Sequence, residues 1–365
     1  MKKPLLGLAM MPEADFVSAI LPLLQNNSVE VMEWSFDTFY EAKEPEWLDE
    51  LLNFYSENQR LIGHGVYYSL FDALWTERQE NWLKKLKKEV RKRKYNHITE
   101  HFGFMNTDNF HQGVPLPVSL HSKTLKIGKD RLYRLQDAVG LPVGIENLAF
   151  SFSIEDVKEQ GVFLDKLIED VNGFLILDLH NIYCQACNFE VEMDELILLY
   201  PLDKVKEIHL SGGSWQESVY TKKRIRRDTH DDLIPEEILA VLPFVLGQCH
   251  NLEYIIIERL GHTIKTDQKK ISFLDDFTRI RRIIDDSEIK NGKRNRWIRK
   301  EIEFSNIPVE DDALHEEQSR LTKLLFESSG ADMIKEQRFH YFKTENWDPD
   351  MILVAQNIIK KWNPY

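Results

Sequence analysis

Short apolar runs recur through the first 260 residues and alternate with segments of helical pattern. The runs span residues 5–10, 29–34, 61–65, 97–102, 142–147, 174–179, 205–210 and 254–259. Several are continuous rather than alternating, as expected for parallel strands that are covered on both faces. Helical spacing of apolar residues marks the intervening segments 15–25, 77–94, 153–161 and 235–246. Eight strands alternating with helices predict an α/β fold, a (β/α)₈ TIM barrel.

The pattern changes at two places. Residues 104–121 are polar, with glycine, prolines and little helical period, and predict a long loop at the mouth of the barrel. Beyond residue 285 a basic stretch, 290–296, precedes two amphipathic segments, 311–329 and 349–362. We therefore expect two parts, a barrel over residues 1–286 and a helical C-terminal extension over residues 287–365.

Composition narrows the classes of function. The formal net charge of −13 disfavours a protein whose main task is to grip nucleic-acid phosphates. A hydrophobic content of 42% and a mean hydropathy of −0.41 are typical of a globular enzyme, and no run of 18 apolar residues predicts a membrane span. Three cysteines cannot build a disulfide framework and suit a reducing compartment, so we expect a cytoplasmic protein.

Histidines and carboxylates stand at the ends of the predicted strands. Parallel barrel strands point their C-terminal ends into one mouth, so these side chains are expected to converge there. Two further groups, Asp228 and His230, lie between the last two strands, and Asn181 follows a strand end by three residues. The candidate metal ligands are His64, His101, Glu146, Asp178, Asn181, His209, Asp228, His230 and Glu258.

This donor set suits iron, zinc or manganese. Nine donors are too many for one ion of four to six ligands, so the sequence favours two or three ions. Glu146 stands in the middle of the order and is the candidate bridge between two of them. A purely structural role, in which these residues only form ion pairs inside the barrel, is disfavoured. So many buried carboxylates would be costly without cations.

The motifs carry a family resemblance over residues 5–286. Together they resemble the multinuclear non-haem iron-dependent oxidative enzymes: Gly63-His64-Gly65, Glu100-His101-Phe102, Glu146-Asn147, Asp178 with Asn181, Glu207-Ile208-His209, Asp228-Thr229-His230 and Glu258-Arg259. The resemblance implies a xylose-isomerase-like TIM barrel that holds two or three irons and uses O₂. It also implies an oxidoreductase that modifies a ribosomally made precursor peptide, often at cysteine, with a partner protein that captures the peptide leader.

The resemblance also distributes the ligands among three irons. His64, His101 and Glu146 match the first iron, and Asn181, Asp228 and His230 match the third. The second iron takes Glu146 as a bridge together with three further ligands, and these four groups are assigned the catalytic role: Glu146, Asp178, His209 and Glu258. Four neighbours are candidates for orienting the ligands: Ser69, Asn147, His180 and Arg259.

Other functions on the same barrel stay open. The ligand order also resembles endonucleases of the three-zinc type, although they normally carry a histidine where this chain has Asn181, and the net charge disfavours DNA. A sugar isomerase or epimerase would also use a carboxylate-rich barrel mouth with divalent ions. A third alternative is a metal-binding barrel that serves only as an assembly partner.

The role of the C-terminal extension is a separate prediction. We expect residues 311–365 to pack against the barrel or a partner protein and to help recruit the peptide, without supplying iron ligands. The alternative is a pair of helices that only caps the barrel. Aromatic side chains in this segment, among them Phe339 and Trp347, suit either role because such residues dominate both cores and interfaces.

Overall fold

The computed structural model describes residues 3–107, 110–288, 295–298 and 305–362, without the side chains of residues 111–113 and 362. Eight parallel strands close into a barrel in which neighbours in sequence are neighbours in space, which confirms the predicted TIM barrel. The strands are β1 Leu5–Ala9, β2 Val31–Trp34, β3 Leu61–His64, β4 Ile98–His101, β5 Val143–Glu146, β6 Phe174–Asp178, β7 Val205–Leu210 and β8 Tyr254–Ile257.

Helices surround the barrel and continue beyond it. The α-helices are Ala14–Gln25, Glu46–Glu57, Glu77–Lys92, Ser122–Val139, Ile154–Ile168, Leu179–Phe189, Met193–Ile197, Glu236–Gln248, Asp267–Asp286, Asp312–Glu327, Asp332–Lys335 and Pro349–Trp362. Short 3₁₀ turns occupy Phe36–Phe39, Leu202–Lys204, Gly261–Thr263 and Thr344–Asn346. No helix of the described residues combines the length and the apolar character that a membrane crossing requires.

Local sequence signals account for several helix ends. Ser153 precedes the helix Ile154–Ile168, and its hydroxyl accepts a hydrogen bond of 3.1 Å from the Asp156 amide, so it caps one of the free N–H groups of the first turn. Gly140 ends the helix Ser122–Val139 at φ +66°, a left-handed conformation that glycine adopts without strain.

The segment predicted as a polar loop at the mouth contains an antiparallel hairpin instead. Its strands are Phe104–Thr107 and Phe110–Leu116. Phe104 and Phe110 are fully buried, and the C-terminal helix Pro349–Trp362 packs on the second strand. The hydrophobic partner of this hairpin thus lies more than 200 residues away in sequence, which a local pattern does not reveal.

The C-terminal helices pack across the loops at the C-terminal end of the barrel. Gln318 accepts a hydrogen bond from the Ala73 amide and donates one to the Phe71 carbonyl, at 3.1 and 2.8 Å. Trp347 stacks on Phe152 with ring centroids 3.7 Å apart. These contacts reach the loops after β3 and β5, on the side where the strand ends meet. The predicted basic stretch 290–296 lies mostly outside the described residues.

Candidate metal centre

The ends of β3, β4 and β5 bring two histidines and one carboxylate to a common point. His64 Nε2 and His101 Nε2 each lie 3.3 Å from Glu146 Oε2, and they lie 3.3 Å from each other. Ligands that share an ion at about 2.0–2.2 Å are about 3–3.5 Å apart, so the three atoms match one face of a coordination shell. These three residues were predicted from the sequence as ligands of one ion, and the structure brings them together.

The other ring nitrogen of each histidine has a fixed partner. His101 Nδ1 donates to the Gly65 carbonyl at 3.0 Å. His64 Nδ1 lies 2.8 Å from the Thr99 hydroxyl, which itself donates to the Gly63 carbonyl, so the histidine is the donor. In both rings Nδ1 is thus the donor to the protein, which leaves Nε2 directed at the shared point, as in histidine ligands of metals.

A second group lies deeper in the barrel and shares Glu146 with the first. His209 Nδ1 is 3.6 Å from Glu146 Oε1 and 3.5 Å from Glu258 Oε2. Candidate ligand atoms of these three residues and Asp178 lie within 4.8 Å of one another. Glu146 therefore directs one carboxylate oxygen to each group, which is the arrangement required of a bridging ligand.

Several buried polar atoms around this second group have no hydrogen-bond partner. They are Asp178 Oδ2, Asn181 Oδ1, His209 Nδ1 and Glu258 Oε2. Unsatisfied buried groups of this kind are rare and costly in proteins. All four atoms are acceptors or lone-pair donors, so a cation is the group that would satisfy them together, and the donor set fits the implied metal.

The third group contains Asp228 and His230. Asp228 Oδ1 lies 2.9 Å from His230 Nε2, and His230 Nε2 lies 3.7 Å from Glu258 Oε2. Asn181 is oriented by two bonds: its amide N–H donates to Asp178 Oδ1 at 2.6 Å, and its Nδ2 donates to the Asn147 carbonyl at 2.8 Å. Contacts thus link all nine predicted ligands into one set at the C-terminal end of the barrel.

Two of the four predicted orienting residues contact the ligands. Asn147 Oδ1 accepts from the Asp178 amide at 2.7 Å, and its Nδ2 donates to the Asp178 carbonyl at 3.1 Å. His180 Nδ1 donates to Asp228 Oδ1 at 2.9 Å, while its Nε2 accepts from Arg226 Nε at 3.2 Å. Arg226 is a residue that sequence reasoning missed.

The other two orienting residues make different contacts. The Ser69 hydroxyl donates to the Asp72 carboxylate and accepts from the Met105 amide at 2.8 Å, so it holds the loop after β3. Arg259 Nε donates to the Thr263 hydroxyl at 2.8 Å. Both residues therefore support loops near the site rather than the ligands themselves.

Excess negative charge dominates the electrostatics of the site. Burial and the charges of Glu146 and Asp228 raise the pKa of Asp178 well above its ordinary value. Burial lowers the pKa of His64, but its bond to Glu146 and the charge of Glu33 outweigh burial and raise that pKa to about 9. Within the described ranges, no lysine or arginine pairs with the carboxylates of the nine candidate ligands.

Three buried residues below the site were not among the predicted ligands. Glu207 Oε1 lies 3.0 Å from His209 Nε2, Glu207 Oε2 lies 2.7 Å from His97 Nε2, and Glu33 Oε2 lies 3.2 Å from His209 Nε2. Glu207 precedes His209 by two residues on β7, so the period of a strand already placed both on one face. That signal, and the carboxylate near the end of β2, were available in the sequence.

Exposure shows where the site opens. The side chains of His101, Asp228 and His230 are 23–25% exposed, whereas those of Asp178 and His209 are fully buried. The opening therefore lies between the end of β4 and the loop after β7. A substrate that enters there reaches the first and third groups before the second.

Comparison with known proteins identifies a family model and distant relatives. A family model described as "RiPP precursor modification enzyme MbnB/TglH/ChrH" matches residues 12–283. A UPF0276 protein of Chromobacterium violaceum is 26% identical over 142 residues, which cover 39% of this chain and 49% of the relative. A UPF0276 protein of Nitrosospira multiformis is 23% identical over 230 residues, 60% of this chain and 77% of the relative. The chain thus spans about half the length of the first of these relatives.

Solved structures support the fold alone. A xylose isomerase domain protein from Planctomyces limnophilus is 15% identical, with a TM-score of 0.50 over 78% of this chain and 99% of that chain. This similarity agrees with the predicted xylose-isomerase-like architecture.

Proposed function

The chain belongs to the family of RiPP precursor modification enzymes MbnB/TglH/ChrH, and on this premise we propose that it is a multinuclear iron oxidase. Its substrate is a ribosomally synthesised precursor peptide, modified at a cysteine with O₂ as co-substrate. Four unpartnered buried atoms carry the proposal, because together they call for cations: Asp178 Oδ2, Asn181 Oδ1, His209 Nδ1 and Glu258 Oε2.

Each group of side chains has a separate task in this proposal. Bound iron would supply the capacity to activate O₂ and to accept electrons from the substrate. His64 and His101 offer Nε2 lone pairs, since Thr99 and Gly65 hold the Nδ1 protons. Glu146 directs Oε2 to the first group and Oε1 to the second, so it would contribute a ligand atom to each.

The position of the opening supports a path by which the peptide reaches the site. His101 on one side and Asp228 with His230 on the other are the exposed members of the set, so a cysteine side chain approaches between them. The buried side chains of His209 and Asp178 exclude water from the inner side of the site. A metal held by these residues would lower the pKa of a thiol that comes within its reach.

The partners and the division of the chain belong to the same proposal. Residues 1–286 form the metal-binding barrel, and residues 287–365 form an extension whose helices cover the loops after β3 and β5. This placement supports a role of the extension in receiving the peptide, alone or with a leader-binding partner protein. We place the reaction in the cytoplasm, in line with the few cysteines of the chain.

Metal analysis of one variant tests the proposal. Glu146→Gln keeps the size of the side chain but removes the charge shared by two groups, so the iron content is expected to fall by about two ions per chain. Glu159→Gln, at an exposed position of the helix Ile154–Ile168, is the matched control and should keep the wild-type content. Elemental analysis that finds zinc and no iron in the wild type would instead favour a metal-dependent hydrolase of the endonuclease type.

A further inference from the structure

The loop after β7 forms a basic hairpin beside the metal centre. Its strands are Trp215–Glu217 and Arg224–Arg226, and we call residues 215–227 the basic hairpin. The segment holds five cations and one carboxylate in a chain whose net charge is −13. The charge of this element is therefore opposite to that of the molecule as a whole.

The inner end of the basic hairpin is anchored to the site. Arg226 donates to His180, which in turn donates to the candidate ligand Asp228. The backbone of Arg226 is held by the side chain of Asn188, which accepts from its amide at 2.8 Å and donates to its carbonyl at 3.0 Å. The far end is held by Asp350 of the C-terminal helix, which accepts from the hydroxyls of Ser218 and Thr221.

Two arginine side chains of the basic hairpin stack on one tryptophan ring. The guanidinium carbons of Arg224 and Arg226 lie 4.8 and 5.3 Å from the ring centroid of Trp215, which remains 39% exposed. Stacked arginine and tryptophan side chains lose little further entropy on binding, and both residue types are frequent at the energetic centres of interfaces.

The exposed cations of the basic hairpin are available to a ligand. Lys223 is paired with Glu190 at 2.6 Å, and Arg227 donates to Gln216 at 2.6 Å. Lys222 and Arg224 are exposed and have no ion-pair partner among the described residues. The charge available for a partner therefore lies at the tip and on the outer strand of the hairpin.

We infer that the basic hairpin binds an acidic segment of the precursor peptide and so places the neighbouring cysteine at the metal centre. This inference rests on the proposed function. Charge complementarity identifies the ligand, because the net negative charge of the molecule repels an acidic peptide elsewhere and the hairpin attracts it. A nucleic acid is less favoured than an acidic peptide as the ligand. Its charge density is higher, so the net negative charge of the rest of the molecule repels it more strongly.

The length of the chain between the hairpin and the metal centre also limits how far the acidic residues lie from the cysteine of the peptide. Arg224 precedes Asp228 by four residues, and four residues of extended chain reach at most about 14 Å. An extended peptide covers the same distance with about four of its own residues. The acidic side chains are therefore expected within about four positions of the modified cysteine.

A binding assay with two synthetic peptides tests this inference. The acidic probe contains one cysteine and three Asp or Glu residues within about four positions of it, and its neutral twin carries Asn and Gln instead. Fluorescence anisotropy without O₂ should show that the protein binds the acidic probe about tenfold more tightly than the twin. This ratio of affinities should decrease as the salt concentration rises. Lys222→Glu with Arg224→Glu should remove that preference.

Matched variants separate a site from general charge. Lys87→Glu with Lys88→Glu makes the same change of charge at exposed positions of the helix Glu77–Lys92 and should leave affinity within about twofold of wild type. Lys222→Gln with Arg224→Gln should give an intermediate loss. Equal circular dichroism and metal content of the variants would show that the fold is kept.

Three results would overturn the inference. The first is that the acidic probe does not bind. The second is that the Lys222→Glu, Arg224→Glu variant still prefers the acidic probe to its neutral twin. The third is that a single-stranded oligonucleotide binds as tightly as the acidic probe and that its binding also depends on the hairpin. Failure of the proposed function would look different. Peptide binding as expected, with no O₂ consumption and no change in peptide mass by the iron-loaded protein, would refute the oxidation and leave the hairpin as a site for acidic peptides.

Discussion

His209 uses its two ring nitrogens for two different contacts. Nε2 donates to Glu207 at 3.0 Å, while Nδ1 faces Glu146 and Glu258 with no hydrogen bond. Glu207 is itself held by His97 at 2.7 Å. These buried contacts from His97 through Glu207 fix the tautomer of His209 so that Nδ1 carries the lone pair. A carboxylate that accepts from one ring nitrogen orients the other nitrogen for a metal in the same way.

Glu207→Gln tests this positioning role. The amide keeps the size of the side chain but is a weaker acceptor for His209, so the affinity for iron at the second group is expected to fall about tenfold. Titration with Fe(II) under anaerobic conditions measures it, and Glu253→Gln, a half-buried glutamate just before β8, is the control. Unchanged iron affinity in the Glu207→Gln variant would refute a positioning role.

Asp276 offers a pH test away from the metal ligands. Burial raises its pKa to about 6, although the hydrogen bond from the Ile234 amide opposes the shift. The folded protein thus holds this proton more tightly than the unfolded chain, in which aspartates have a pKa of about 3.9. The stability that this group contributes is complete below about pH 4 and is lost as pH rises through about 6.

Asp276→Asn removes this dependence because the amide does not ionise. The melting temperature of the variant relative to wild type should be higher at pH 8 than at pH 5, by about 2 °C. Asp275→Asn, at the exposed neighbouring position, should show no such trend. A difference that stays constant between the two pH values would mean that Asp276 is ionised throughout.

At the scale of elements, the helix Asp312–Glu327 is tied to the loop after β3 by one buried side chain. Gln318 satisfies both the Ala73 amide and the Phe71 carbonyl and is itself 1% exposed. The backbone of that loop therefore depends on the C-terminal extension for its hydrogen bonds. The same loop carries Ser69, whose hydroxyl accepts from the Met105 amide of the hairpin after β4.

Gln318→Ala should therefore destabilise the protein by about 2 kcal/mol, because two buried backbone groups lose their partners. Chemical denaturation followed by intrinsic fluorescence measures the change. Glu316→Ala on the exposed face of the same helix is expected to stay within about 0.5 kcal/mol of wild type. A loss no larger than that of the control would show that water replaces the glutamine.

At the scale of the whole molecule, the extension and the barrel share one hydrophobic core. Phe152 of the barrel, Trp347 and Leu321 of the extension all belong to the same cluster of buried residues. Asp350 and Gln318 bind barrel loops on different sides of the mouth. Such sharing implies that the two parts depend on each other for stability.

Truncation after Asp286 is expected to expose this core. The shortened chain should aggregate or melt at least about 10 °C below the full chain, because buried aromatic side chains such as Phe104 and Phe110 lose their cover. Thermal melting and size-exclusion chromatography measure it. A truncated chain that is monomeric and melts with the full chain would show that the barrel is independent.

The sequence by itself determined the barrel and the convergence of its strand ends. Continuous apolar runs mark strands that helices cover, and parallel strands in a closed barrel bring their C-terminal ends to one mouth. His64, Glu146 and Glu258 were therefore predictable as neighbours although they are far apart in the chain. The structure places them together, and their role as metal ligands stays a prediction.

The tertiary structure decided which side chains meet across the barrel and what covers its mouth. The bond of His97 to Glu207 joins residues 110 positions apart, and the bond of Gln318 to Ala73 joins residues 245 positions apart. Hydrophobic periodicity states which face of an element is buried but not what lies opposite. The partner depends on the closure of the barrel and on the path of the C-terminal helices, and both are properties of the folded chain alone.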